Sequence, residues 1–220
     1  MRICILGRTE FDIALAKAMN QVGIILTDDV KKADYVLSRE SGQGIKLSND
    51  REESGDIYLP YGADITTDIK DVAKWKSDVL YIGEWDKRIA KLSVISSPFR
   101  VCFFTGDEHW AENWCGSLSA NYRNINSIIA ATEVFITTRD SMSFQMARFL
   151  GKAIFDVRCA PEQIIDYLIH KDRYPVEYDR NNTIFDRLKS LLTTLGGKAA
   201  IYNDLCEFAK QERIECLGLS

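Results

Sequence analysis

The chain has 220 residues, 46% hydrophobic and 27% charged, enough for one large core or two small ones. A net charge of −4 supplies no basic excess for general nucleic-acid binding and disfavours a membrane-surface role. Six scattered cysteines without a CxxC pair, and only two histidines, leave almost no zinc ligands. Reduced thiols and a cytoplasmic setting are therefore expected, with Cys4 and Cys102 buried in strands. No apolar run approaches bilayer length, so no membrane partner is expected.

Residues 2–7 form a short apolar run ending in glycine, which reads as a first strand rather than an apolar leader. Phe11, Leu15, Ala18, Met19 and Val22 then recur at helical spacing until Gly23 stops the helix. Strands are expected at 24–26 and 34–38, a polar loop over 39–56 with at most a short strand at 45–47, and a strand from 57 ending in a turn at Gly62. The same grammar restarts at 79–83, again a strand closed by glycine, and continues with a strand at 100–104. A helix over 119–131, a strand at 134–137, a helix at 144–150 and a strand at 153–155 follow. From Pro161 onward only helices are expected, at 161–170, 181–195 and 197–213.

This pattern predicts an α/β fold of two small Rossmann-like units with parallel sheets and a helical C-terminus, divided at 1–70 and 77–220. Parallel sheets bind ligands beyond the carboxyl ends of their strands, and two facing sheets would share one cleft. Helix N-termini there favour phosphate. The loops that matter are then 7–12, 83–85, 105–107 and 138–143. Gly7-Arg8-Thr9 lacks the full GxGxxG fingerprint, which disfavours a dinucleotide cofactor.

The most informative stretch is 131–155: a strand, a hydroxyl-rich loop, a helix start, then Gly151-Lys152 and another strand. Ser141 and Ser143 either cap the helix or join its free amides in holding an anion. Asp140 suits hydrogen bonds from sugar hydroxyls, or serves the cap. This stretch resembles the donor-binding segment of GT-B glycosyltransferases, closest to the heptosyltransferase-like branch, through Asp140-Ser141-Met142 and Leu150-Gly151-Lys152. Residues 57–64, with Leu59-Pro60, Gly62 and Asp64, followed by 79–83, resemble the interdomain passage of such enzymes. Two features depart from that family. Ser143 and Gln145 stand where retaining members carry paired glutamates, and the first unit is far shorter than an ordinary acceptor domain.

The resemblance implies a transferase that moves a sugar from a nucleotide-sugar donor to a hydroxyl. It implies no tightly bound cofactor, and any divalent metal would bind mainly through the donor phosphates. Donor contacts are expected from Arg8, Gly83, Glu84, Thr105, Gly106, Tyr122, Arg139, Asp140, Ser141, Met142 and Ser143. Glu10 and Asp12 are the candidate catalytic bases, with a first-turn dipole role as the alternative for Glu10. Trp85 either stacks on a base or sugar or fills an interface. Asp107, Glu108, His109 and Trp110 form a polar-aromatic cluster of less certain use. The acceptor is open. Minimal transferases of this type resemble those encoded by bacteriophages, which makes a hydroxymethylated base in DNA a candidate, served by basic residues between Lys70 and Arg100. Two alternatives stand beside this reading: a nucleotide- or sugar-binding module without turnover, and a nucleoside deoxyribosyltransferase-like enzyme on a single flavodoxin-like sheet.

Overall fold

A computed structural model describes residues 1–96, 98–106, 113–117, 121–138 and 140–219. The chain first forms β1 (Arg2–Ile5), α1 (Glu10–Gln21), β2 (Ile25–Leu26), β3 (Tyr35–Ser38), β4 (Ile45–Ser48) and β5 (Ile57–Tyr58). It continues through β6 (Ser77–Gly83), β7 (Val101–Thr105), β8 (Trp114–Ser117), α2 (Ile125–Ala130), β9 (Thr132–Thr137), α3 (Met142–Phe149), β10 (Ala153–Asp156) and α4 (Pro161–Ile169). Helices α5 (Ile184–Leu195) and α6 (Asn203–Cys216) follow. The strands form two five-stranded sheets, ordered β2-β1-β3-β4-β5 and β10-β9-β6-β7-β8. Every pairing between these strands is parallel. The protein is thus an α/β chain of two Rossmann-like units.

In the first unit, β1 lies inside its sheet and buries both Ile3 and Cys4, as a parallel strand covered on two faces must. Helix α1 begins with a capping box in which Thr9 and Asp12 satisfy each other's backbone amides. Phe11, Ala14, Leu15, Ala18 and Met19 give it a fully buried stripe. Gly23, at φ 80°, turns the chain toward β2.

The second unit centres on β6, where Val79, Leu80 and Tyr81 are buried, and on β7, buried along its whole length. Between them, a 3₁₀ segment over Ile89–Ser96 buries Ile89, Leu92 and Ile95. That spacing of three matches three residues per turn, a period that a search for α-helical spacing passes over. Strand β8 was also not expected. It pairs with β7 across a register shift at Phe103/Phe104 and contains Gly116 at φ 154°, so no alternating pattern marks it. Within the described part of the expected helix 119–131, a 3₁₀ turn, Tyr122–Asn124, precedes α2, and residues 119 and 120 lie outside the described residues.

The compact units are Met1–Thr66 with Asn181–Ser220, and Thr67–Arg180. This differs from the expected division at 1–70 and 77–220, since α5 and α6 belong with the first sheet. The cause is local. Helix α5 packs against α1, burying Phe185, Leu188, Leu191 and Leu192, and α6 packs against α5. Gly196 and Gly197, both at positive φ, separate the two helices and are followed by a 3₁₀ segment, Gly197–Tyr202.

The outgoing and returning chain segments are joined within the first unit. The Ala63 amide donates to Asn182 O at 2.8 Å and the Ile184 amide to Ala63 O at 2.9 Å. Gly62 makes this approach feasible, because a Cβ there would sit 2.7 Å from the carbonyl carbon and oxygen of Thr183. Gly62→Ala is expected to lower stability by about 1–3 kcal/mol, the usual cost of overpacking against immovable backbone. Urea unfolding of the variant beside the parent checks this, and an unchanged midpoint would show that the two segments are not held so closely.

Candidate functional site

Strand order locates the crevice that each sheet offers a ligand. In the second sheet, β6 is followed outward by β7 and β8, after which the chain crosses to β9 and β10 on the other side. Successive connections therefore diverge between β6 and β9, and such a reversal opens a crevice beyond the strand ends. Gly83-Glu84 leave β6 there, and Asp140 and Ser141 precede α3, which follows β9.

Helix α3 starts with Ser141 in extended conformation, its hydroxyl accepting from the Phe144 amide at 3.1 Å. The expected cap is thus the role of Ser141, while Ser143 lies buried within the first turn. Met142 and Ser143 carry first-turn amides, which have no acceptor inside the helix. Asp140 is exposed, and its Oδ1 accepts from Gln145 Nε2 at 2.7 Å. Gln145 is itself 5% exposed, so a buried amide orients the carboxylate at the helix entrance. Asp140, Ser141, Met142 and Ser143 are consequently brought together on one turn.

Other expected donor residues have different surroundings. At Gly83 the close approach is made by the chain's own Tyr81: a Cβ would meet the Tyr81 hydroxyl at 2.9 Å, and that hydroxyl donates to Glu84 O. Thr105 is fully buried and accepts from Trp114 Nε1 at 3.1 Å, which assigns it to packing of β8. Gly106 is exposed, and among the described residues nothing lies within 4 Å of where a Cβ would stand. Trp85 packs against the apolar cluster around Tyr81 and Ile89. Tyr122 opens a 3₁₀ turn, its side chain outside the described residues, as are Arg139 and the cluster Asp107, Glu108, His109 and Trp110.

The first sheet reverses between β1 and β3, and its own side chains fill that point. Asp12 is 2% exposed. Its Oδ2 accepts from the Thr9 amide at 3.0 Å and the Thr9 hydroxyl at 2.7 Å. Its Oδ1 accepts from Arg39 Nε at 2.9 Å and Nη2 at 2.6 Å. Arg39 also donates through Nη1 to Asn49 Oδ1 at 2.6 Å and lies over the Phe11 ring. Gly7 is required beneath this network, since a Cβ would fall 2.2 Å from Asp12 Oδ2. Asp12, a candidate base from the sequence, is therefore a buried structural carboxylate with both oxygens engaged. Glu10 and Arg8, by contrast, are exposed at the same strand end. Partial desolvation holds the Glu10 carboxyl above its ordinary pKa. Arg39 and Asn49 were missed because 39–56 reads as polar loop. The available signal was a charged residue directly after a parallel strand.

Three residues of the basic run from Lys70 to Arg100 have polar partners within the protein. Lys70 pairs with Asp68 at 3.1 Å, Arg88 pairs with Asp86, and Lys91 donates to the carbonyls of Arg158 and Cys159. Among the described residues no group of three or more His, Cys, Asp or Glu side chains is placed to hold a metal ion. No helix among them is long and apolar enough to cross a membrane. No protein-family model matches the chain. No curated protein matches it in sequence either.

The Asp12–Arg39 pair lends itself to a direct measurement. Removing Arg39 leaves a carboxylate buried without its counter-charge, a loss of about 3–5 kcal/mol. Arg39→Ala and Asp12→Ala are each expected to destabilise strongly, and the double variant by clearly less than their sum. Additive losses in urea unfolding would show that the two side chains do not act as a pair.

Proposed function

We propose that the protein is a sugar transferase that takes its donor as a nucleoside diphosphate sugar and passes the sugar to a hydroxyl acceptor. The observation that carries this reading is the second unit's strand reversal between β6 and β9, with the amino end of α3 and the oriented Asp140 beside it. Backbone amides at a helix start favour a diphosphate by charge and by unsatisfied hydrogen bonds. A carboxylate held in one orientation suits sugar hydroxyls, which are donors. The resemblance of 131–155 to the donor segment of GT-B glycosyltransferases supports the same assignment, with Arg139 as a further phosphate partner.

Acceptor activation then falls to Glu10. Its exposure and raised pKa bring its proton affinity closer to that useful in a general base. Acceptors carrying a primary hydroxyl, including hydroxymethylated bases in DNA, belong to this reading, although Lys70 and Arg88 of the basic run are paired with Asp68 and Asp86. One observation favours a second reading, a nucleotide- or sugar-binding module without turnover: Asp12, the other candidate base, is locked to Arg39. The deoxyribosyltransferase-like alternative needs a single sheet, and the chain has two.

Calorimetric titration with nucleoside diphosphates and their sugars tests the donor site. Binding is expected, weakened about tenfold or more by Asp140→Ala, the loss of a charge-assisted hydrogen bond. No binding by any member of the panel would overturn the proposal. With a turned-over acceptor, Glu10→Gln is expected to lower kcat while leaving donor affinity unchanged. Because the base works ionised and its pKa is raised, kcat/KM should climb with pH through a value above the ordinary carboxylate range. Binding without nucleotide release under any acceptor would leave the module reading.

A further inference from the structure

Helix α6 carries a face that the packing of its unit does not use. Its inner side buries Cys206, Ala209 and Ile214. Its outer side also repeats apolar residues. Ile201, at the end of the preceding 3₁₀ segment, Leu205 and Phe208 fall at i, i+4 and i+7 on one stripe. They are 71%, 46% and 63% exposed. Single exposed apolar side chains are ordinary, whereas three spaced along the end of the 3₁₀ segment and the first turns of α6 make an apolar stripe, the mark of an interaction surface.

The charges at the two ends of the stripe decide what covers it. Lys198 lies three residues before Ile201 and Glu212 four residues after Phe208. Both are exposed, and among the described residues neither takes part in an ion pair. Glu207, beside the stripe, is already held by Lys189 at 2.6 Å. The face therefore has a positive end, an apolar middle and a negative end. Such a surface is complementary to itself when reversed.

We propose that this face docks on the same face of a second copy of the chain, antiparallel, about a two-fold axis near Leu205. That arrangement sets Ile201 of each copy against Phe208 of the other and Lys198 against Glu212. It is isologous, the commonest closed symmetry. It also opposes the two helix dipoles, whereas a parallel pairing would stack Glu212 on Glu212 and align the dipoles unfavourably. Three apolar side chains per copy make a small contact, so the dimer separates on dilution.

Sedimentation velocity over a wide range of protein concentration tests this. The parent is expected to pass from 25.0 kDa at low concentration toward twice that mass. Phe208→Glu should remain monomeric throughout, with an unchanged melting curve, since the side chain is exposed in the monomer. Lys198→Glu alone should weaken association by about tenfold, the scale of one close charge pair, and Lys198→Glu combined with Glu212→Lys should restore it. A monomer at every concentration, or a dimer indifferent to Phe208→Glu, would overturn the proposal. Failure of the combined variant to recover association would overturn the antiparallel register.

Discussion

The buried ion pair between Asp12 and Arg39 sets the geometry of the first unit. Four segments meet on it: the turn after β1, the start of α1, the residue after β3, and Asn49 after β4, which in turn donates to Leu59 O beyond β5. A buried pair of this kind gains little against an apolar replacement, because desolvating two charges offsets most of their attraction. Its value lies in direction. A carboxylate with both oxygens taken and a guanidinium bonded to Asp12, Asn49 and the Leu47 carbonyl tolerate one arrangement of those loops, and Gly7 is the residue that leaves room for it.

The two sheets put the same topological feature to different ends. Each reverses its strand order beside its first strand, and each therefore has a crevice at the carboxyl ends. In the first unit that position holds Asp12, Thr9 and Arg39. In the second it holds an exposed Asp140, oriented by Gln145, and the amino end of α3. The proposed division of labour follows from this contrast, with the phosphate-bearing ligand assigned to the second unit and Glu10 exposed at the first. Gly83 illustrates how a glycine at a strand end need not signal a ligand: the atom that approaches it is the Tyr81 hydroxyl.

The return of the chain to its first unit is the other constraint. Ala63 and Thr183 form an isolated parallel bridge, and Gly62 lies flat against the Thr183 backbone. Thr183 is also the cap of α5, so the same residue closes the bridge and starts the helix that packs on α1. Asp186, the third residue of that helix, completes the capping box and accepts from Lys210 of α6 at 2.8 Å. A short run of local interactions thereby fixes where both terminal helices go.

Period and punctuation in the sequence determined the α/β class, the strand-glycine openings and the helices that bury one face, because these depend on residues close in the chain. A cap at Ser141 or Ser143 was legible for the same reason, since both stand just before the helix expected from Phe144, and the structure decides for Ser141. The 3₁₀ segment at Ile89–Ser96 and the strand Trp114–Ser117 were not, since one follows a period of three and the other a bulge without alternation. Tertiary structure alone decided that Asp12 is a structural anion, that Thr105 serves Trp114, and that the helices after Asn181 belong with the first unit. Each of these rests on partners distant in sequence. A carboxylate's role depends on which charge the fold brings beside it, and no local pattern around Asp12 names Arg39.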